Sequence, residues 1–280
     1  MIAIAKSHVG FRAKQKAVRP VVYFDNWAWR LFSEDKLLKK RFVSTLVEKR
    51  GTLVVSWFGL AEFSIYSDSK HGEAADDLIE AVFPHLVFFN SDFFQVAAAE
   101  RQLPCSGTIA MQCYDQDVFK AYAEGCLRGR PPRLHRIFQT PAFRQQLDDV
   151  LTNIAARIEA FRIEPKDDRQ FLKLVERFRA NPGRQHPIAF VFSELIRNLL
   201  VDTKVPITHN DAADFCHAIV PVSHCQFVLL DGRWKTLVNQ ARKRLLSSGI
   251  DPAFASVYSR RDVEQFLHEL ERFDPSHPRS

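Results

Sequence analysis

The sequence lacks any apolar run close to the roughly 18 residues that a membrane-spanning helix needs. Its first segment, MIAIAKSHVGFRAKQKAVRP, has an apolar stretch of only four residues, which is too short for the apolar region of a secretory signal. We therefore expect a cytoplasmic protein that has no membrane partner. Five basic residues precede the first acidic one, so residues 1–19 are predicted to form a mobile basic tail, with an organellar address or a nucleic-acid-binding arm as alternatives.

Cysteine is also scarce, and the five cysteines show no CxxC spacing. An odd number without paired spacing predicts reduced thiols rather than a disulfide framework. The neighbouring pairs Cys216-His217 and His224-Cys225 contain residue types that bind zinc. Adjacent residues point in different directions on a helix or strand, however, which argues against one zinc ion shared by all four.

Glycine is rare, with ten residues, whereas phenylalanine is abundant, with 24, and 46% of the chain is hydrophobic. This composition predicts a packed, helix-rich globule rather than a disordered or low-complexity chain. The length permits one elaborated domain or two small ones, and we favour one domain with an insertion. The formal net charge of +6 is compatible with a polyanionic partner, although many basic proteins bind none.

Strand patterns alternate with helix patterns in two parts of the chain. Short runs rich in β-branched and aromatic residues predict four buried strands: VVYF (21–24), TLVVS (52–56), LVFF (86–89) and QFVLL (226–230). A helical pattern follows the first, second and last of these runs. This alternation is typical of an α/β fold with a central parallel sheet flanked by helices.

The middle of the chain has a different character. Residues 93–204 show amphipathic stretches and little strand signal, which predicts a large α-helical insertion. The α/β domain is then made of two parts, 20–92 and 205–250. Residues 251–280 are predicted to form a C-terminal helix and tail.

Acidic residues lie where predicted strands end and helices begin. Asp25 follows the first strand and Asp231 the last, and parallel strands end at the same edge of a sheet, so these carboxylates are predicted to lie close together. Glu62 lies in the first turns of the second helix. Asp211 and Asp214 share one face of the helix NDAADFCHA, which Asn210 is predicted to cap.

Carboxylates gathered in one crevice repel each other and need a positive partner. Two of them about 5 Å apart repel by roughly 3 kcal/mol at an effective dielectric constant of about 20. Oxygen ligands suit Mg²⁺ or Mn²⁺, which activate water and bind phosphate groups. A single aspartate at a strand end is usually a turn residue or helix cap, but the ordered set predicts a metal-dependent nuclease.

The same ordered set resembles that of the PIN-domain ribonucleases. Asp25 in VVYFDNW matches the family's first-strand aspartate, and Glu62 in SWFGLAEF its second-helix glutamate. NDAADFCHA matches the segment with the third acid, and Asp231 in VLLDGRW the aspartate that closes the late strand. The resemblance implies a PIN-like fold with a central parallel sheet, an acidic Mg²⁺ or Mn²⁺ site, and cleavage of RNA.

This chain departs from the compact members of the family in three ways. A long helical segment separates the two matching parts, which cover about 21–92 and 205–244, so the substrate of the bacterial toxin ribonucleases cannot be carried over. Asp211 and Asp214 both fit the third acidic position; family position favours Asp211, whereas Asp214 forms a DxxH with His217 that resembles larger PIN-like proteins. Asp231 lacks the neighbouring Thr, Ser or second acid of many members.

Polar and basic residues near the acids are candidates for supporting roles. Asn26, Ser56 and His217 are candidates for orienting water, a metal ligand or a phosphate, with a helix cap, a strand-end hydroxyl and a core histidine as the alternatives. Arg233 and Lys235 lie just beyond Asp231 and begin a basic group that could contact substrate phosphates. Its other members are Arg242, Lys243 and Arg244. Most charge runs only solvate a surface.

We therefore predict an endoribonuclease with a metal site of Asp25, Glu62, Asp211, Asp214 and Asp231. One alternative is a PIN-like module that binds RNA or protein without catalysis, and another is a related nuclease that acts on DNA flaps. RNA is the expected partner. An inhibitory protein, as in a toxin–antitoxin pair, and a second copy of the chain are further candidate partners.

Overall fold

The structure, a computed structural model, describes residues 1–7, 10–66, 69–102, 113–129, 131–163, 169, 173, 187–200, 206–274 and 276. Its strands are β1 (Ile2–Ser7), β2 (Gly10–Gln15), β3 (Val21–Phe24), β4 (Thr52–Ser56), β5 (Leu86–Phe89), β6 (Phe227–Leu229) and β7 (Ser256–Tyr258). Strands β3 to β7 form one sheet in the order β5-β4-β3-β6-β7, and every neighbouring pair is parallel. The predicted α/β fold with a parallel sheet is thereby confirmed.

Helices cover both flanks of this sheet. They are α1 (Asn26–Glu34), α2 (Lys36–Glu48), α3 (Trp57–Tyr66), α4 (Ser69–Val82), α5 (Phe93–Glu100), α6 (Gln116–Leu127), α7 (Leu134–Phe138), α8 (Pro141–Ile163), α9 (Pro187–Leu200), α10 (His209–His224), α11 (Gly232–Ser247) and α12 (Val263–Arg272). Within the described ranges, no helix is both long and apolar enough to cross a membrane.

The central strands are buried along their whole length. All residues of β3, β4, β5 and β6 are buried, which explains why they appear in the sequence as continuous apolar runs rather than as alternating patterns. The fifth strand, β7, was not predicted. It has only three residues, SVY, and lies at the edge of the sheet, where it contributes too short an apolar run to be recognised.

Residues 1–19 differ from the predicted mobile tail. They contain an antiparallel hairpin of β1 and β2, and side chains alternate between exposed and half-buried along β2. The backbone N–H of Phe88 donates to the Gln15 side chain at 2.8 Å, and that of Ala17 donates to the Tyr114 hydroxyl at 2.8 Å. The period-two pattern in GFRAKQ was the available signal, because it places Phe11 and Ala13 on the packed face.

The described part of 93–204 consists largely of helices α5 to α9. Residues 103–112, 130, 164–168, 170–172, 174–186 and 201–204 lie outside the described residues, as does position 205, the predicted start of the second α/β part. Helix α8 packs against α3 and α10. The Glu159 carboxylate of α8 accepts from the backbone N–H of Ile207 at 3.2 Å. These helices therefore support the two elements that carry Glu62 and Asp214.

An aromatic cluster lies directly beneath the end of β3. The ring centroid of Phe24 is 4.8 Å from those of Phe32 and Phe42 and 6.3 Å from that of Phe266. All four side chains are fully buried. Because Phe24 precedes Asp25, this packing fixes the backbone from which the first candidate carboxylate projects.

Candidate acidic site at the carboxyl edge of the sheet

Asp25 and Asp231 come together because their strands are neighbours. In the register of β3 and β6, Phe24 pairs with Leu229, and the backbone N–H of Asp25 donates to the Leu229 carbonyl at 3.0 Å. Asp231 is two residues beyond Leu229. Strands spaced about 4.8 Å apart and offset by one residue place the two Cα atoms roughly 6 Å apart. Carboxylates from the two halves of the chain therefore share one edge.

Both aspartates also cap the helices that follow them. Oδ1 of Asp25 accepts from the backbone N–H of Asn26 at 2.6 Å, and Oδ1 of Asp231 accepts from that of Trp234 at 2.8 Å. The helix-cap interpretation of these two residues therefore holds for one oxygen of each side chain. The second oxygen, Oδ2, can still serve another ligand, so capping and ligation are compatible.

His217 lies at the centre of a polar network. Its Nε2 is 2.6 Å from a carboxylate oxygen of Glu62, and its Nδ1 is 2.5 Å from the Tyr23 hydroxyl and 3.8 Å from Oδ1 of Asp25. Asp25, Tyr23, Glu62 and His217 come from β3 and its end, from α3 and from α10. The imidazole thus connects three elements at the sheet edge.

The imidazole of His217 is stabilised in its charged form. Burial alone would lower its pKa, but the carboxylates of Asp25 and Glu62 outweigh burial and raise the pKa of His217 to about 9. Burial would raise the pKa of Glu62, yet the His217 charge and hydrogen bond bring it below its usual value. Glu62 and His217 therefore form an ion pair at neutral pH.

The remaining carboxylates are less well compensated. Burial raises the pKa of Asp25, and the charges of Glu62 and Asp231 raise it further, against the opposing effects of His217 and the Asn26 N–H. Burial raises the pKa of Asp214 to about 6, the charges of Asp231 and Asp25 add to this effect, and the side chains of Trp234 and His217 oppose it. Asp214 therefore belongs to the same electrostatic cluster as Asp25 and Asp231.

Asp211 has a different role from Asp214. It forms a capping box with Thr208: Oδ2 of Asp211 accepts from the Thr208 backbone N–H at 3.0 Å, and the Asp211 N–H donates to the Thr208 hydroxyl at 3.2 Å. Its other oxygen is 3.5 Å from Arg233. The preference for Asp211 by family position is therefore not supported by the geometry, and the predicted cap Asn210 is wrong, because Thr208 is the N-cap.

Asn26 and Ser56 flank the acidic cluster. A hydrogen bond from the Asn26 side chain to Glu62 helps to lower the pKa of that carboxyl, whereas Oδ1 of Asn26 is buried and has no hydrogen-bond partner among the described residues. The Ser56 hydroxyl accepts from the Gly59 backbone N–H at 3.0 Å and is buried. Ser56 thus supports the start of α3 and also hydrogen-bonds Tyr23 of the His217 network, while Asn26 retains an unused acceptor beside Asp25 and Glu62.

The donor set is suitable for a hard divalent cation. Asp25, Asp214, Asp231 and Oδ1 of Asn26 all offer oxygen, the ligand that Mg²⁺ and Mn²⁺ prefer. In the part of the chain that the structure describes, no three His, Cys, Asp or Glu side chains converge closely enough to form a metal-binding group. Glu62 is paired with His217 and two aspartates act as caps, so binding an ion requires side-chain rotations.

Most of the predicted basic group forms contacts within the protein. Lys235 forms an ion pair with Asp262 at 2.7 Å, and Arg233 faces Asp211. Arg242 donates to the carbonyls of Phe254 and Ala255 at 3.1 and 2.6 Å, and Arg244 binds the buried Glu194 at 2.7 Å. These contacts stabilise α11 against its neighbours, so this group is less available to a substrate than its sequence suggests.

Tyr23 was missed as a member of the network. A tyrosine within a fully buried strand needs a hydrogen-bond partner for its hydroxyl, and this requirement was the available signal. The turn after β7, with Arg260, Arg261 and Asp262, was missed because β7 itself was not recognised. Both omissions concern residues whose positions depend on tertiary structure.

Comparisons of the chain with protein-family models, with curated proteins and with solved structures find no match.

Proposed function

We propose that this chain is a Mg²⁺- or Mn²⁺-dependent endoribonuclease whose site is formed by Asp25, Asp214 and Asp231. The observation that carries the proposal is that Asp25 and Asp231 follow neighbouring parallel strands and that Asp214 interacts electrostatically with both, at the sheet edge where ligands of α/β proteins bind. Each comes from a different element: the end of β3, helix α10 and the end of β6.

The charge balance of the site supports a cation as its ligand. Among the described residues, the carboxylates of Asp25, Glu62 and Asp214 interact with the imidazolium of His217, and Asp231 adds a fourth carboxylate beside Asp25 and Asp214. When all are ionised, negative charge is in excess, and each close pair of carboxylates costs about 3 kcal/mol at an effective dielectric constant of about 20. A divalent cation offsets this repulsion. Folding alone does not explain why these carboxylates lie together.

A PIN-like fold is part of the same proposal. It is supported by the five-stranded parallel sheet with the first strand of the sheet, β3, at its centre, and by acids that follow β3 and β6. Residues 93–204 would then be the large insertion, because α8 packs onto α3 and α10, outside the sheet. The α/β domain would consist of 20–92 and 205–250, with the hairpin of 1–19 added at its β5 side and with β7 supplied by 251–280.

The residues of the chain fit the roles that phosphodiester hydrolysis requires. Oδ2 of Asp25 and of Asp231 and the carboxylate of Asp214 would hold the ion, and Oδ1 of Asn26 would accept a hydrogen bond from a water at the site. The ion would supply an activated water and stabilise charge on the phosphate. His217, tied to Glu62 and Tyr23, would hold the position of α10 relative to β3 and retain a proton close to Asp25.

The test is cleavage of labelled single-stranded RNA, structured RNA and DNA in Mn²⁺, Mg²⁺ or EDTA. We expect metal-dependent RNA cleavage that falls by about 100-fold or more in Asp25→Asn and Asp231→Asn, because metal-assisted stabilisation is worth several kcal/mol. Asp211→Asn is the matched control: it keeps a good helix-capping side chain outside the cluster and should cleave at nearly the normal rate. Cleavage that persists in EDTA or in both site variants would disprove the mechanism.

One observation favours a second candidate, a PIN-like module that binds RNA or protein without cleaving it. The Glu62–His217 ion pair neutralises part of the site without a metal. This candidate predicts RNA or protein binding, no cleavage with Mn²⁺, and no change of affinity in Asp25→Asn. Cleavage of DNA flaps but not RNA would instead identify the related DNA nuclease.

A further inference from the structure

The turn that follows β7 presents two free arginines beside the acidic site. Arg260 and Arg261 occupy a 3-10 turn, Arg260–Asp262, and both are exposed. Neither forms an ion pair or hydrogen bond with another described residue, unlike Arg233, Lys235, Arg242 and Arg244 on the neighbouring helix. These two cations are therefore available to an external anion.

The position of the turn follows from the sheet. Strand β7 pairs with β6, and Leu229 is in register with Tyr258, so residues 259–262 emerge at the same edge as Asp231. Neighbouring strands are about 4.8 Å apart. In addition, Lys235, which lies one helical turn after Asp231, forms its ion pair with Asp262 of the turn. The arginines are thus held next to the carboxylate cluster.

Hydrogen bonds also hold the turn in place. Asp262 and Ser259 form a capping box in which the Ser259 backbone N–H donates to Oδ2 of Asp262 at 2.8 Å. The hydroxyl of Tyr258 donates to Glu269 of α12 at 2.5 Å, which fixes the end of β7. The only acid in the turn is already bound to Lys235 and Ser259. Hydrogen bonds therefore hold the backbone of the turn in place, and its acid does not pair with either guanidinium group.

We infer that Arg260 and Arg261 bind successive phosphates of a single nucleic-acid strand and guide it across the sheet edge to the acidic site. Guanidinium groups bind phosphate oxygens in a bidentate manner. Consecutive residues of a 3-10 turn project about 120° apart, which suits two phosphates of one strand better than a single phosphate. The surplus carboxylates repel a polyanion, and these arginines offset that repulsion on the β7 side. The inference rests on the proposed nuclease function.

A binding experiment tests this role without requiring cleavage. The probe is a fluorescently labelled 12-nucleotide single-stranded RNA, and its affinity is measured by anisotropy at several salt concentrations in EDTA. Arg260→Ala/Arg261→Ala should weaken binding by about 10-fold. The plot of log affinity against log salt should become shallower, with the magnitude of its negative slope reduced by roughly 1.4, because each phosphate contact with a single strand contributes about 0.7. Both side chains are exposed, so the thermal unfolding temperature should not change.

Two further variants separate a specific contact from a general effect of charge. Arg12→Ala/Lys14→Ala removes two exposed cations of the hairpin on the β5 side and should leave the affinity nearly unchanged. Arg260→Lys/Arg261→Lys should keep the salt slope and recover part of the affinity. Equal losses in the Arg260/Arg261 and Arg12/Lys14 alanine variants, or no loss in the former, would overturn the inference.

Cleavage assays then connect the contact to the reaction. If the chain cleaves RNA, the Arg260→Ala/Arg261→Ala variant should show a KM raised by about 10-fold with little change in kcat, since these side chains hold the strand and do not touch the reacting atoms. An unchanged KM would count against the inference. If wild type binds the probe but never cleaves it, the nuclease proposal fails, and the binding data still decide whether the arginines hold phosphates.

Discussion

The buried histidine–acid contact between α4 and α7 and the one at the sheet edge differ in charge balance. Between α4 and α7, His135 lies 2.5 Å from Asp76, and both side chains are about 4% exposed. At the sheet edge, His217 contacts Glu62 and Asp25, whose side chains are 21% and 19% exposed. One region is closed and the other is open to a ligand.

Both carboxylate oxygens of Asp76 have a partner within the protein. Oδ2 of Asp76 is bound to His135, and Oδ1 accepts from the backbone N–H of Leu134 at 3.1 Å. The ring packs so closely on Gly72 that a Cβ atom there would come within 2.8 Å of His135. One acid thus faces one base. This pair joins two helices.

The network around His217 at the sheet edge has more acids than bases. His217 is shared by Glu62, Asp25 and Tyr23, while Asp214 and Asp231 add charge that no described base neutralises fully. The acceptor Oδ1 of Asn26 is buried without a partner among the described residues. Burial of a charged pair alone thus does not identify a functional site; surplus charge at an accessible edge is the stronger indication.

Breaking the closed pair should have the largest effect on stability. Asp76→Ala leaves the Leu134 N–H and the His135 ring without their buried acceptor, so we expect the free energy of unfolding to fall by about 3 kcal/mol. Urea unfolding followed by tryptophan fluorescence measures this change. RNA cleavage per folded molecule should be unaffected.

The neighbouring Asp77 provides the matched control. Its side chain is 55% exposed and its ion pair is with Arg133, at the surface. Asp77→Ala should change stability by less than about 1 kcal/mol, as is usual for exposed pairs. A similar loss in both variants would show that the buried contact with His135 has no special structural role.

Removing one negative charge from the sheet edge should change stability in the opposite direction. In metal-free buffer, Asp25→Asn should raise the free energy of unfolding by about 2 kcal/mol and keep a good helix cap, because the cost of burying the charge and the repulsion from Glu62 and Asp231 together outweigh the attraction of His217. Added Mg²⁺ should stabilise wild type through binding to the native state and should have little effect on the variant.

Asp35→Asn serves as the control for this gain. Asp35 also caps a helix, by accepting from Leu37 and Leu38, but no carboxylate of another described residue is recorded in contact with it. We expect a change within about 0.5 kcal/mol, because asparagine and aspartate cap helices equally well. If Asp25→Asn destabilises the metal-free protein, repulsion among the carboxylates at the sheet edge does not lower its stability. The argument for a bound cation then weakens.

The sequence alone was sufficient to predict the central strands and the position of three of the acidic residues at the sheet edge. VVYF, TLVVS and LVFF are buried on both faces, so their apolar runs identify them without tertiary information. The convergence of Asp25 and Asp231 follows from one rule, that parallel strands end at the same edge. Glu62 and its helix were likewise recognised, but the pairing of Glu62 with His217 depends on how α3 and α10 meet.

The remaining parts depend on tertiary contacts. Asp211 and Asp214 are three residues apart, and only the start of α10 at Thr208 decides that Asp211 caps the helix while Asp214 joins the cluster. The cations of α11 appeared free in the sequence, yet Glu194 and Asp262, distant along the chain, bind two of them. Which charges remain available is therefore a property of the fold.

The smallest effect that we expect is a dependence of the free energy of unfolding on pH, caused by Asp214. Its pKa of about 6 in the folded protein exceeds the model-peptide value of about 3.9. Between these pH values the folded state binds more protons than the unfolded state, so stability falls as pH rises from about 4 to about 6 and the penalty is complete above that range. Metal-free Asp214→Asn lacks this penalty.

Comparison of wild type with Asp214→Asn therefore isolates the effect of this carboxyl. Because the side chain is partly exposed, we expect the stability advantage of the variant to be near zero at pH 4 and to grow to about 1 kcal/mol at pH 7. Urea midpoints across this range measure it. Asp211→Asn is the control with the opposite sign: hydrogen bonds from Thr208 and the charge of Arg233 outweigh burial and lower the pKa of Asp211, so its replacement should cost stability at pH 7. A pH-independent advantage of Asp214→Asn would show that Asp214 is not ionised against its neighbours, and would remove it from the proposed set of cation ligands.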